Sequence, residues 1–210
     1  MKKTLPSRKK AALHRITLAL AAFLLASHFF SLTLLPIQAV RSVEESEGTG
    51  RTAFVSALPW EYREKDYRVQ LRQNENALLL VGLRPSLLGG WGGFARSLDC
   101  SLEEQSFFAD ALFYSNGSQE KTGLYYGRLT DDAIHRLTID LSLEYRTGGE
   151  KTTQHIRTME IGPEDLLEQD GERYFLLPCE PVSYDAHLPR VCAVVTAYDA
   201  AGTVISRKEL

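Results

Sequence analysis

Asp131, Asp132 and His135 fall within one five-residue window, a set of ligands that could hold a metal ion. On a strand, Asp131 and His135 would share a face and Asp132 would oppose them. Aspartates at the entrance to a strand also serve turn geometry, because their side chains bond the backbone one or two residues on. The turn is the preferred reading, and no metal is expected. The segment Leu88-Gly89-Gly90-Trp91-Gly92-Gly93-Phe94 invites comparison with phosphate-binding loops. Such loops close on Gly-Lys-Ser/Thr, or space their glycines to open a helix, and neither pattern is present. The glycines instead lower the steric cost of presenting one large flat ring at a loop tip. Trp91 is therefore the one residue put forward as a ligand contact; its alternative role is to plug an end of the domain.

Cys100, Cys179 and Cys192 are the only cysteines. Three thiols form at most one intramolecular bond, and their spacing does not match a zinc site. Cys179 with Cys192 is the preferred disulfide, since the two lie on neighbouring predicted strands. Buried free thiols are the other reading. Nucleophilic catalysis finds no Gly-x-Ser-x-Gly, no Ser-x-x-Lys in a helical setting and no Cys–His pair in a recognisable context. Glu103-Glu104 reads as helix capping, Asn116-Gly117-Ser118 as a turn, and His155 and His187 as surface residues. No cofactor is implied, and the chain is not expected to be an enzyme.

The elements that would carry these residues begin with a basic N-terminus. Lys2, Lys3, Arg8, Lys9, Lys10 and Arg15 stand among the first 15 residues, with no acid. From Ile16 to Val40 the chain then runs 25 residues without a charge. Its core from Ile16 to Leu35, about 20 residues, would be about 30 Å long as a helix, the thickness of a bilayer core. Positive charge is retained in the cytoplasm, so the N-terminus stays in and the rest is exported. Two forms of this segment remain open. One is an uncleaved anchor holding the lipid bilayer through residues 16–35. The other is a signal peptide cut after Ile37-Gln38-Ala39, against which stand a long core and a poor first small position. The expected division is a cytoplasmic tail over 1–15, an anchor or signal over 16–40, a Glu/Ser/Gly/Thr-rich stalk over 41–58, and an extracytoplasmic domain over 59–210.

The exported part is clearly acidic, which disfavours nucleic acid and anionic surfaces as partners. It reads as strands. Leu137, Ile139, Leu141, Leu143 and Tyr145 alternate with polar residues, the mark of a strand with one wet face. Thr147-Gly148-Gly149-Glu150 turns it into a second strand over Thr152–Ile161. Further strands are expected at Tyr67–Arg72, Ala77–Leu83, Phe107–Tyr114, Leu124–Leu129, Arg173–Cys179, Val191–Tyr198 and Thr203–Lys208, with one helical turn in Glu164–Gln169. Over 102–115 a Ser101/Glu104 capping box competes with the strand. Eight or nine short strands joined by hairpin turns describe a mainly β domain, an antiparallel β-sandwich, with an immunoglobulin-like one among the candidates.

Leu78–Leu83, the Gly-Trp-Gly-Gly loop, Tyr126-Gly127-Arg128-Leu129-Thr130-Asp131-Asp132-Ala133-Ile134 and Ala197-Tyr198-Asp199-Ala200-Ala201-Gly202 follow one another in a distinctive order. In that order the chain resembles a loose group of uncharacterised, N-terminally membrane-anchored extracytoplasmic proteins typical of Gram-positive bacteria. The resemblance spans most of residues 60–208. It implies location and fold and carries no activity. The function expected is non-enzymatic binding or assembly at the cell envelope, with an envelope protein as partner. The ectodomain of an envelope-sensing regulatory pair is the alternative, and a hydrolase with a site formed only in the fold is the third.

Overall fold

The computed structural model describes residues 8–29, 35–62, 65–86, 90–101, 105–115, 120–147, 150–184 and 189–210. The expectations for Leu88-Gly89, Glu103-Glu104, Asn116-Gly117-Ser118, Gly148-Gly149 and His187 fall outside them. Two helices come first, α1 (Arg8–Phe29) and α2 (Pro36–Glu47). The strands β1 (Ala53–Tyr62), β2 (Lys65–Gln73), β3 (Ala77–Pro85) and β4 (Trp91–Asp99) then form a meander in that order. A second sheet joins β5 (Phe107–Ser115), β6 (Glu120–Leu129), β10 (Glu172–Ser183) and β9 (Leu167–Gln169), in the order β5-β6-β10-β9. The third has the order β12-β11-β7-β8, built from β7 (Arg136–Thr147), β8 (Glu150–Ile161), β11 (Arg190–Tyr198) and β12 (Val204–Glu209). All neighbouring strands are antiparallel.

Side-chain alternation sets the order of the layers, because successive residues of a strand point to opposite faces. Phe107, Ala109, Tyr125 and Phe175 of the second sheet share one buried cluster with Leu137, Ile139, Leu141 and Leu143 of β7 and Ala193, Val195 and Ala197 of β11. Their neighbours Phe108, Leu124, Tyr126 and Tyr174 join the opposite cluster, with Trp60, Val69, Leu71, Leu78 and Leu80 of the first sheet. The β5-β6-β10-β9 sheet is thus the middle layer, covered on both faces. Leu79, Val81 and Leu83 point the other way from β3 and are covered by Ala39 and Val40 of α2. The result is four layers: helix, first sheet, central sheet, third sheet. Among the described residues twelve strands in three sheets replace the eight or nine expected: β1 and β4 join the two strands expected before Cys100, and β9 is added to the second sheet. A 3-10 turn (Pro163–Asp165) followed by β9 takes the place of the helical turn expected at Glu164–Gln169.

The stretch 41–58, expected as a stalk, carries the end of α2 and most of β1. What seats it is a buried carboxylate. Glu44, with a side chain 4% exposed, accepts hydrogen bonds from the Thr52 amide (2.9 Å) and hydroxyl (2.6 Å). The Arg72 guanidinium stands 3.9 Å from the same oxygen and also donates to the Thr52 hydroxyl and carbonyl, at 3.0 and 2.7 Å. The cluster locks α2 to β1 and β2. Burial draws the Arg72 pKa below its ordinary value, against the pull of Glu44.

α1 is helical across the expected membrane window as far as Phe29; residues 30–34 lie outside the described part. Among the described residues no helix is long and apolar enough to cross a membrane. Leu13, Ile16, Leu18 and Leu20 of α1 are each more than half exposed. At about 100° per residue, Leu18 lies on the side of the helix away from the other three.

Two outcomes follow from this packing. Leu141→Ala should cost about 2–5 kcal/mol in denaturant unfolding, as a buried leucine truncation does. Ser142→Ala, on the outer face of the third sheet, should stay within about 0.5 kcal/mol. Glu44→Ala leaves Arg72 without its carboxylate, and should cost about 3 kcal/mol by the same measurement.

Candidate functional site

Trp91 is the first residue of β4, paired with Pro85. Its ring is half-buried and packs on the cluster of Ala39, Val40, Leu79, Val81 and Leu83. The neighbouring glycines have a second use. A Cβ on Gly93 would stand 1.6 Å from the Gly82 carbonyl oxygen, and one on Gly82 would meet the Phe94 ring at 2.1 Å. The Phe94 ring lies where a side chain on Gly82 would be. There it joins Trp60 (5.8 Å between centroids), Tyr67 (5.6 Å) and Tyr114 (5.4 Å) at the seam of the first and central sheets. The structure places Trp91 against the body of the domain, and Gly93 and Gly82 where β3 and β4 come close, while Gly92 has open space beside it.

The Asp131–His135 segment is a turn. The Asp131 side chain accepts the Ala133 amide at 2.9 Å, and its carbonyl accepts the Ile134 amide at 3.2 Å. Arg173 clamps the turn by donating to the Asp131 and Ile134 carbonyls, both at 2.7 Å. Asp132 and His135 are exposed. Among the described residues, no three His, Cys, Asp or Glu side chains are grouped to hold a metal ion.

All three cysteines are free and buried. Cys179 points between the central and third sheets, beside the Tyr125 phenol. Cys192 lies next to Ala193, which faces that interior, so its own side chain is on the outer face of the third sheet. There its thiol donates to the Glu144 carboxylate at 3.8 Å. The two cysteines expected to pair thus point to opposite sides of a sheet, a geometry a disulfide does not bridge. Neighbouring strands in sequence here belong to different sheets, which is where the expectation goes wrong. Burial raises the pKa of all three thiols, and pushes Cys100 from 9.0 up to about 11.

A cavity of about 540 Å³ opens where the β2–β3 turn meets the β9–β10 turn. Arg51, Asn74, Glu75, Asn76, Asp170 and Glu172 line it. Asp170 and Gly171 both have positive φ (55° and 82°), as a two-residue primed hairpin turn requires. Glu172 is held from behind. The buried Arg128 guanidinium lies 3.6 Å from it, and the Tyr174 phenol donates to it. Arg128 also reaches the Asn74 and Cys100 carbonyls at 3.4 Å. The crevice presents Glu75, Asn76 and Asp170 beside Arg51, while the Asn74 amide is bonded to its own turn and to the Thr49 carbonyl, and Glu172 is held by Arg128 and Tyr174. Sequence reasoning passed over it because Asn74-Glu75-Asn76 and Asp170-Gly171 read as turns and nothing more; only the stacking of sheets brings them together. No protein-family model matches this chain, and no curated protein or solved structure does.

The native protein should be inert to a thiol reagent at pH 8 and should yield three equivalents once denatured. The unfolded chain loses the Cys100 proton near pH 9.0 and the folded protein near 11, so each step upward in that window favours unfolding. Stability measured by denaturant should fall from about pH 9 to about 11. Cys100→Ala should flatten part of that slope.

Proposed function

We propose that this protein is a single-pass membrane protein with its N-terminus in the cytoplasm, holding a non-enzymatic binding or assembly domain at the outer side of the cell membrane. One observation carries the reading: α1 is apolar on more than one side, and Leu13, Ile16, Leu18 and Leu20 are exposed instead of packing on the domain. A helix of that kind buries its surface in lipid or in a partner. The six basic residues by Arg15 set the direction of insertion.

The uncleaved form is favoured by where the cleavage motif falls. Ile37-Gln38-Ala39 lies inside α2, and Ala39 and Val40 are 6% and 2% exposed against the first sheet. Cutting there would remove the first turn of α2 and uncover Leu79, Val81 and Leu83. Binding is favoured over catalysis because the crevice carboxylate Glu172 is already engaged by Arg128 and Tyr174.

The domain's form is proposed to be an immunoglobulin-like sandwich bearing an extra sheet. Its support is strand order. Taking β5 to β12 as A, B, C, C′, D, E, F and G gives A-B-E-D in one sheet and C′-C-F-G in the other. Such a sandwich presents loops at its ends and edges for partners, consistent with a binding role.

Protease added to spheroplasts should degrade the C-terminal domain and leave a short membrane-embedded N-terminal fragment. The full chain should stay in the membrane pellet through an alkaline carbonate wash, and the chain from residue 35 onward should be released. A protected C-terminus would overturn the orientation, and a mature chain starting near Val40 would overturn the anchor.

A further inference from the structure

We infer that one end of the domain, made of the α2 N-terminus and the strand ends at Lys65 and at Pro85 and Trp91, is a bilayer-contact face seated in the headgroup region. The inference rests on the membrane anchor proposed above, and adds to it which surface of the domain meets the lipid.

The direction of α2 on the first sheet decides which end this is. Near its C-terminus, Glu47 accepts the Ser97 hydroxyl at 2.7 Å, and the Thr49 carbonyl accepts the Asn74 side-chain amide at 2.6 Å. Those contacts lie toward the β2–β3 turn. Ala39 and Val40, near the other end of α2, share a cluster with Leu83 and Trp91. That is the end where β3 meets β4 through Pro85 and Trp91, and β1 meets β2 through Tyr62 and Lys65. Chain length then brings it to the bilayer. Residues 30–34 alone separate α1 from Leu35, the N-cap of α2. Fully extended, they reach about 20 Å. The opposite end of the first sheet is a further 30 Å or so away, the length of a nine-residue strand.

The surface at this end has the composition of an interfacial one. Leu35 and Ile37 are 56% and 46% exposed among the described residues, and the half-buried Trp91 ring lies beside α2. Lys65 and Arg68 are exposed, and Arg84 extends over the Tyr67 ring at 5.6 Å. Aliphatic side chains, an indole and long cations are what the headgroup zone accommodates, the cations by reaching up to the phosphates. Glu61 and Asp66 share the same tip, so its charge nearly cancels. The contact is therefore apolar in origin and does not require anionic lipid.

Three single-tryptophan versions of the full-length chain in vesicles test this, each checked for native circular dichroism. Trp60→Phe leaves Trp91 as the only indole. Trp60→Phe/Trp91→Phe with Leu20→Trp reports on the anchor, and with Glu75→Trp on the far end of the first sheet. Lipids brominated near the headgroup should quench Trp91, and lipids brominated deep in the chain should quench the Leu20→Trp reporter. The Glu75→Trp reporter should stay unquenched. Quenching of Trp91 should be equal in zwitterionic and anionic vesicles. A quenched anchor reporter with an unquenched Trp91 would overturn this face and leave the anchor standing. Loss of quenching at both would overturn the anchor reading as well. Quenching at Glu75→Trp, or at Trp91 only with anionic lipid, would also overturn the apolar seat.

Discussion

The central sheet has its middle covered on both faces, and most of the structure answers to that constraint. Tyr125 and Tyr126 are consecutive, so they enter opposite clusters, and both are fully buried. A buried phenol needs a partner, since an unmade hydrogen bond there costs about 1–3 kcal/mol. Tyr126 donates to the Asp110 carboxylate at 3.1 Å, and Arg96 of β4 donates to the same oxygen at 3.0 Å. That carboxylate holds the Arg96 guanidinium above its ordinary pKa, while burial drives the Tyr126 pKa up. Tyr174 finds Glu172, and Arg128 lies 5.4 Å over the Phe108 ring to reach carbonyls of the first sheet. The polar ties between first and central sheets are therefore the groups that a doubly covered layer leaves to be satisfied.

Covering both faces of one sheet passes the same demand to the next. The first sheet buries Leu78 and Leu80 on the central layer, which leaves Leu79, Val81 and Leu83 on its other face. α2 supplies the missing cover with a narrow apolar stripe, and its ends must be fixed for so short a helix to stay. Gly48 closes it in the left-handed conformation at φ 66°, and the Glu44–Thr52–Arg72 cluster ties it to the strands below. Breaking that cluster would strand charge in the interior, so its effect is one of position more than of net attraction.

What was legible in the sequence was set by how local the signal is. β7 shows its one-sided burial as strict alternation, and β3 shows two covered faces as an apolar run over Ala77–Leu83. Each pattern needs only its own strand to be read. β4 was missed because Gly92 and Gly93 read as a loop. Their strand role comes from Arg84 and Leu83 across the ladder, eight and ten residues away in sequence. The 41–58 segment was misjudged for the same reason. Glu44 looks solvated until Thr52 and Arg72 are placed beside it. Strands with a pattern of their own were readable; β1, β4 and sheet membership were not. That gap separates Cys179 from Cys192, and it hid the crevice, whose two turns lie about a hundred residues apart.

A short tether changes what the acidic, polar end of the domain can do. A stalk would let the domain turn freely, and any surface could then meet a partner. On the proposed anchor, α2 packed directly on the first sheet would hold its N-terminus toward the bilayer. The crevice between Asn74 and Asp170 would then open away from the membrane, at the β2–β3 end of the same sheet. The separation of an apolar, nearly neutral end from an acidic one follows from a single feature, the direction in which Glu44 and its partners fix a twelve-residue helix.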